Sequence, residues 1–279
     1  MVPDAGTLTV REVADGPPLS YWAFVPRSPE PAATLVLIHG SMRNTGRMFR
    51  AFLPAAASLN MPLIIPNFPT SGFPGYQRLA GARGPLAAST ALDETLTDAL
   101  LVFGISTAEF SICGFSGGAQ FAHRYALFSP ARINRLVVAA AGYYTYLDPS
   151  RPYPYGLGVG ARLGDVRAEV DGFLRLPMHV LVGELDVERE AHLRVDPGLD
   201  RTQGNHRLAR ALRWVDHVEE VAADRGIRSQ VSFDLLPGTA HSFSSAVHRG
   251  DLVTRVVSFV RSTPADDPGD STNQSGKAA

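Results

Sequence analysis

Residues 110–121, with the sequence FSICGFSGGAQF, constrain the fold of this chain more than any other stretch. The stretch begins as a short apolar run, passes through Gly114, Ser116 and Gly118 at alternate positions, and continues with apolar residues at helical spacing. Glycines on both sides of a serine let a strand and a helix approach closely across a strained turn. The pattern predicts a strand, a sharp turn that exposes Ser116, and a helix whose positive end faces the serine.

Apolar runs and amphipathic segments alternate along the rest of the chain. The runs that are typical of buried strands lie at residues 34–38, 62–66 and 136–141, and further strands are predicted at 178–182 and 231–236. Two earlier segments, 7–13 and 19–25, are rich in strand-forming residues and predict an antiparallel hairpin whose turn lies at 15–18. This alternation predicts an α/β fold with a mostly parallel, doubly wound sheet and an antiparallel N-terminal hairpin.

Three predicted helices carry features that can be checked. Pro54 is expected to kink or restart the helix after the first buried strand. Arg207, Arg210 and Arg213 recur along one helix and are expected to form a solvated face. A final continuous helix is predicted over about residues 245–260.

The length and hydrophobic content suit one large domain. With 279 residues, of which 45% are hydrophobic, the chain can bury a sizeable core. We therefore expect a single domain over residues 1–261, with a short, irregular, lid-like segment at about 143–176. Residues 262–279 lack apolar side chains larger than those of Ala and Pro and are expected to be disordered.

Charge and cysteine content exclude several classes of function. The formal net charge of −1 provides no basic field for nucleic acid. Cys113 is the single cysteine, so no intrachain disulfide forms, and its place in a predicted strand indicates a buried, unreactive thiol. No His/Cys spacing indicates a metal site, and no cofactor is predicted. The sequence has neither a secretion signal nor a membrane-spanning run, so a cytoplasmic location without a membrane partner is expected.

Side chains with catalytic chemistry follow four predicted strands: His39 with Gly40 and Ser41, then Ser116, Asp186 and His241. The carboxyl ends of parallel strands meet at one edge of a sheet, so these groups are expected to lie together. A serine hydroxyl becomes a good nucleophile when a base takes its proton, and an acid can orient that base.

The chain order Ser116, Asp186, His241, together with the Gly-x-Ser-x-Gly turn, resembles the α/β-hydrolase family over residues 34–260. The resemblance implies that Ser116 is the nucleophile, His241 the base and Asp186 the acid that orients the histidine. It also implies an oxyanion hole formed by the backbone N–H groups of Gly117 and Ser41, with Met42 as the second choice.

Other residues compete for two of these roles. Glu184, Asp196 and Asp200 are alternatives to Asp186 as the acid. His39 is expected to be a structural histidine that shapes the oxyanion loop.

Within the superfamily, residues 39–41 and 113–119 are similar to those of the polyhydroxyalkanoate depolymerase and feruloyl esterase-like branch. Dienelactone hydrolases look similar overall but use a cysteine nucleophile, where this chain has Ser116. Aromatic residues cluster after two strands and either wall a pocket that favours apolar or aryl esters or pack on one another. The side chains expected to contact substrate are Met42, Phe68, Phe115, Tyr143 and Tyr144.

The function predicted from these residues is a serine hydrolase that cleaves small-molecule carboxylic esters through an acyl-enzyme. Acyl transfer, thioester cleavage and a perhydrolase side reaction on the same triad are alternatives. A ligand-binding protein without catalysis is an alternative of another class, because fold alone does not determine function.

Overall fold

A computed structural model describes residues 6–13, 19–29, 34–158, 167–190 and 192–262 of the chain. Eight strands form one sheet, and their bounds are β1 Gly6–Glu12, β2 Ser20–Pro26, β3 Leu35–Ile38, β4 Leu63–Asn67, β5 Phe110–Phe115, β6 Ile133–Ala139, β7 Pro177–Gly183 and β8 Gln230–Leu236. The predicted turn at 15–18 and the predicted disordered tail beyond residue 262 lie outside the described residues, as do residues 159–166 of the lid-like segment.

The strand order across the sheet is β1-β2-β4-β3-β5-β6-β7-β8. Strands β1 and β2 form the predicted antiparallel hairpin, and β2 also pairs antiparallel with β4. All other neighbours pair in parallel. The predicted fold class is confirmed.

Helices cover both faces of the sheet. Their bounds are α1 Thr45–Ser58, α2 Ala87–Phe103, α3 Gly117–Phe128, α4 Val170–Leu174, α5 Pro197–Gln203, α6 Arg207–Asp224, α7 Phe243–His248 and α8 Leu252–Arg261. Side chains alternate along each strand, so Val36 and Ile38 join the core under α2, α3 and α6, whereas Leu35 and Leu37 join the core under α1 and α8. No helix in the described ranges has both the length and the apolar character that crossing a bilayer requires.

Two expectations concern helix continuity. Helix α1 does not restart at Pro54 but runs on to Ser58, and Pro54 lies on its exposed face, so the lost hydrogen bond to the Arg50 carbonyl is at the solvent side. The predicted final helix is two helices, because Asp251 has a φ of 51° and ends the right-handed path between α7 and α8.

The predicted solvated arginine face of α6 is also wrong for two of its three members. Arg213 is exposed, but Arg207 and Arg210 are 2% and 0% exposed. Both recur at helical spacing with the buried Ala211, Trp214 and Val218, so they belong to the face that packs on the sheet.

The crossing of α3 over β3 gives a stability prediction. A Cβ at Gly118 would lie 2.0 Å from the Ile38 carbonyl oxygen, and this backbone atom is fixed in the sheet. We expect Gly118→Ala to lower the free energy of unfolding by about 3 kcal/mol or more, measured by urea denaturation. The control is Gly72→Ala, because a Cβ at Gly72 would meet nothing within 4 Å. Equal unfolding midpoints for the two variants would contradict the close crossing.

Candidate active site

Ser116 lies at the turn between β5 and α3, with φ 55° and ψ −114°. Such a backbone conformation is costly for a residue with a Cβ and persists where the surroundings enforce it. Here the strand and helix are so close that a Cβ at Gly114 would lie 2.1 Å from the Gly118 carbonyl oxygen. The Ser116 N–H donates to the Ala139 carbonyl of β6 at 2.8 Å, which ties the turn to the next strand.

The three predicted triad residues come together at the carboxyl ends of β5, β7 and β8. The Ser116 Oγ lies 3.0 Å from Nε2 of His241, and Nδ1 of His241 lies 2.9 Å from Oδ2 of Asp186. Asp186 is 2% exposed and His241 is partly buried. The arrangement allows a proton to move from the hydroxyl to the imidazole while the carboxylate holds the other ring nitrogen.

The competing acids are engaged elsewhere. Glu184 accepts a hydrogen bond from the Gly238 N–H at 2.9 Å. Asp196 caps α5 by accepting from the Leu199 N–H, and Asp200 pairs with Arg189 and Arg210. Asp186 is therefore the one of the four predicted acids that contacts His241.

Sequence reasoning missed Arg207, which holds the other side of the Asp186 carboxylate. Its Nη1 lies 3.1 Å from Oδ1 of Asp186 and 3.0 Å from Oε2 of Glu190. A buried carboxylate needs a partner to offset the loss of hydration, and Arg207 supplies a positive charge and a hydrogen bond. The available signal was the spacing of Arg207, which places it on the buried face of α6.

The loop with Gly40 and Ser41 lies close to Ser116 and Gly117. A Cβ at Gly40 would lie 3.5 Å from the Ser116 Cβ, and a Cβ at Gly117 would lie 2.7 Å from the Ser41 Oγ. The N–H groups of Ser41 and Gly117 donate to no acceptor within the described residues. Two free N–H groups at the end of a nucleophile-bearing turn are what a developing oxyanion requires.

His39 fastens the oxyanion loop to the segment that follows β4. Its Nε2 accepts a hydrogen bond from the Phe68 N–H at 3.0 Å, so Nδ1 carries the proton and donates to the Gly40 carbonyl at 2.9 Å. Burial lowers the pKa of His39 to about 4, so the ring is neutral at pH 7. The geometry fits the structural role expected from the sequence.

Because the folded pKa of His39 lies below the ordinary value of 6.5, the unfolded chain binds a proton between pH 6.5 and 4 that the folded chain does not. Stability is therefore lost as the pH falls through this window, by about 3 kcal/mol from this group, and the loss stops below pH 4. We expect His39→Gln to lose correspondingly less stability than the wild type between pH 7 and 4.5, measured by urea denaturation at both values. Parallel losses in the two proteins would contradict the neutral, buried assignment.

Cys113 is buried in β5, as expected. Burial raises the pKa of its thiol to about 12, so a thiolate does not form near neutral pH.

A cavity of about 620 Å³ opens over Ser116 and His241. Met42 and Phe115, two of the predicted substrate contacts, line it, and the Phe115 ring stacks on His241 with centroids 5.5 Å apart. Lining residues that the sequence did not indicate are Arg47, Gln120, Glu190, His192 and Phe243.

The other three predicted substrate contacts do not line this cavity. Phe68 is fully buried against Phe73, Tyr76 and Phe121. Tyr144 is fully buried and stacks on Trp214 with centroids 4.7 Å apart. Tyr143 lies under the Arg124 guanidinium. The aromatic loops fold onto α3 and α6, so these rings contribute apolar packing, as the alternative interpretation of the sequence held.

Comparison with known proteins shows which solved structures share the fold of this chain. Neither a protein-family model nor a curated protein matches the chain. Among solved structures, poly(aspartic acid) hydrolase-1 from Sphingomonas sp. KT-1 is 25% identical with a TM-score of 0.75, over 91% of this chain and 98% of that one. The poly(3-hydroxybutyrate) depolymerase LpqC from Bordetella parapertussis is 22% identical with a TM-score of 0.72, over 91% and 96%. A ferulic acid esterase is 16% identical with a TM-score of 0.55, over 92% and 98%.

The chain therefore has the α/β-hydrolase fold. The predicted α/β-hydrolase resemblance is confirmed at the level of the fold, which this chain shares with the depolymerase and the ferulic acid esterase. Other neighbours that share the fold, each 13% identical, are named as a serine hydrolase and an esterase.

Proposed function

We propose that this protein is a serine hydrolase that cleaves carboxylic esters through an acyl-enzyme. The observation that carries the proposal is the continuous hydrogen-bonded row Ser116, His241 and Asp186 at the base of an open cavity. A protein that only binds a ligand has no use for this row, so its complete assembly favours catalysis over the non-catalytic alternative.

In the proposed first step the Ser116 Oγ attacks the ester carbonyl while Nε2 of His241 takes the hydroxyl proton. The negative charge that develops on the carbonyl oxygen is stabilised by the N–H groups of Gly117 and Ser41 and by the positive end of α3. The absence of a side chain at Gly117 matters here, because a Cβ would collide with the Ser41 Oγ.

In the second step the tetrahedral adduct collapses, His241 returns the proton to the leaving alcohol, and Ser116 stays acylated. A water molecule, deprotonated by His241, then attacks the acyl group, and the second adduct collapses to release the acid while His241 returns the proton to the Ser116 Oγ. Asp186 stabilises the imidazolium in both steps, and Arg207 holds Asp186 in place.

Thioester cleavage and acyl transfer share the acyl-enzyme and differ in the leaving group or the attacking group. A panel of matched butyryl esters, thioesters and amides, assayed with the wild type and with Ser116→Ala, separates these activities. We expect the esters to give the highest kcat/KM and every activity to depend on Ser116. Faster turnover of the amides or thioesters than of every ester would contradict the ester assignment.

A further inference from the structure

A second, shallower groove of about 230 Å³ continues the cavity along the outside of α1. The two depressions share Arg47, Phe243 and Ser244, so a ligand bound over Ser116 can extend from one into the other. Ala51 and Val247 give the groove apolar walls, and Arg50 and His248 lie on its rim.

The charged side chains around this path are mostly positive. Among the described residues, the cavity is lined by Arg43, Arg47 and Arg207 against a single carboxylate, Glu190, which is already paired with Arg207. No Asp or Glu of that part of the chain lines the groove. An anionic group bound in this region is attracted by the arginines, and no unpaired carboxylate among the described lining residues repels it.

The arginines differ in whether their guanidinium groups already form hydrogen bonds or ion pairs within the protein. Arg43 donates to the carbonyls of Ser41, Phe68 and Phe73, so it serves the loop. Within the described residues, the side chains of Arg47 and Arg50 have no hydrogen bond and no ion pair. The two are three residues apart on α1 and therefore share one face of the helix.

We infer that the substrate is an ester that carries a carboxylate away from the scissile bond, and that Arg47 and Arg50 bind this carboxylate. The inference rests on the proposed function and defines its substrate class. It replaces the preference for uncharged aryl esters expected from the aromatic loops, whose Phe68, Tyr143 and Tyr144 do not line the cavity.

The test compares two matched pairs of esters, so that the carboxylate is placed on either side of the scissile bond. The acyl-side pair is the p-nitrophenyl half-ester of adipate and its adipamate analogue. The alcohol-side pair is the butyryl ester of p-hydroxybenzoate and that of p-hydroxybenzamide. Each pair differs only by carboxylate against carboxamide, and the measured quantity is the ratio of kcat/KM within a pair.

We expect the wild type to prefer the carboxylate in one pair, with a preference that weakens as salt is added. Arg47→Gln should lower that ratio roughly five- to tenfold, as expected for a charge-assisted hydrogen bond at a partly exposed site, mainly through KM. Adding Arg50→Gln should lower it further. Arg83→Gln, at an exposed arginine that lines neither depression, makes the same charge change and should keep the wild-type ratio.

A wild type that shows no carboxylate preference in either pair overturns the inference, and so does a double variant that keeps the preference. Failure of this inference can be distinguished from failure of the proposed function. Loss of the subsite alone leaves hydrolysis of the carboxamide esters dependent on Ser116, whereas failure of the proposed function removes that dependence.

Discussion

Ser116→Ala is expected to lower kcat for ester hydrolysis by about 10⁴- to 10⁶-fold, with little change in melting temperature. The hydroxyl is the group that the proposed reaction acylates, and it hydrogen-bonds His241 without taking part in the core. Alanine keeps the Cβ at the strained φ of 55°, so the turn is no more costly than before. Steady-state kinetics and thermal melts measure the two effects separately.

Two further variants sharpen this result. Ser58→Ala, at the end of α1, is the matched control and should keep wild-type kcat. Combining Ser116→Ala with His241→Ala should cost little more than either change alone, because triad members act as a unit. Retention of activity within tenfold by Ser116→Ala would refute the proposed nucleophile.

Asp186→Asn is expected to lower kcat by about 10⁴-fold, and Arg207 provides the reason. Arg207 donates to one carboxylate oxygen of Asp186, so the amide oxygen of an asparagine must stay on that side. The amide NH₂ then faces Nδ1 of His241 and forces the proton onto Nε2. In that tautomer Nε2 has no lone pair to accept the Ser116 proton.

The control for this change is Asp196→Asn. Asp196 caps α5, where asparagine is an equally good cap, so we expect wild-type turnover and stability. Measured kcat values for the two variants show which aspartate is the acid of the triad. If Asp196→Asn were the more damaging change, Asp186 would not be the acid of the triad.

The sheet and its catalytic edge could be predicted because both follow from local patterns. Each central strand is a short apolar run that is buried on both faces, and the Gly-x-Ser-x-Gly turn specifies one strained position. Once the strands are parallel, the residues after β5, β7 and β8 meet at one edge, which brings Ser116, Asp186 and His241 together.

The features that sequence reasoning missed depend on contacts between distant segments. Arg207 and Arg210 look like surface residues until the carboxylates of Asp186 and Asp200 are placed opposite them. Short helices such as α4 and α5 contain too few turns to show a periodicity. The break between α7 and α8 contains Gly250, which packs so closely that a Cβ there would lie 2.8 Å from that of Leu236, a contact between segments distant in sequence.

The role of the aromatic loops also depends on contacts between segments that are distant in sequence. Two clusters of rings at strand ends fit both a substrate pocket and a packed core, and composition does not separate the two. The distinction came from the fold of the loops, which buries Phe68 and Tyr144 completely. The cavity wall is instead built from Met42, Phe115 and Phe243, together with polar side chains.

Covalent labelling tests the central claim most directly. The protein is incubated with a fluorophosphonate probe at neutral pH, and intact mass and peptide mapping then locate the adduct. We expect one adduct per chain, on Ser116, with strongly slowed labelling in His241→Ala and none at this position in Ser116→Ala. An unlabelled wild type, or an adduct on any other residue, would contradict it.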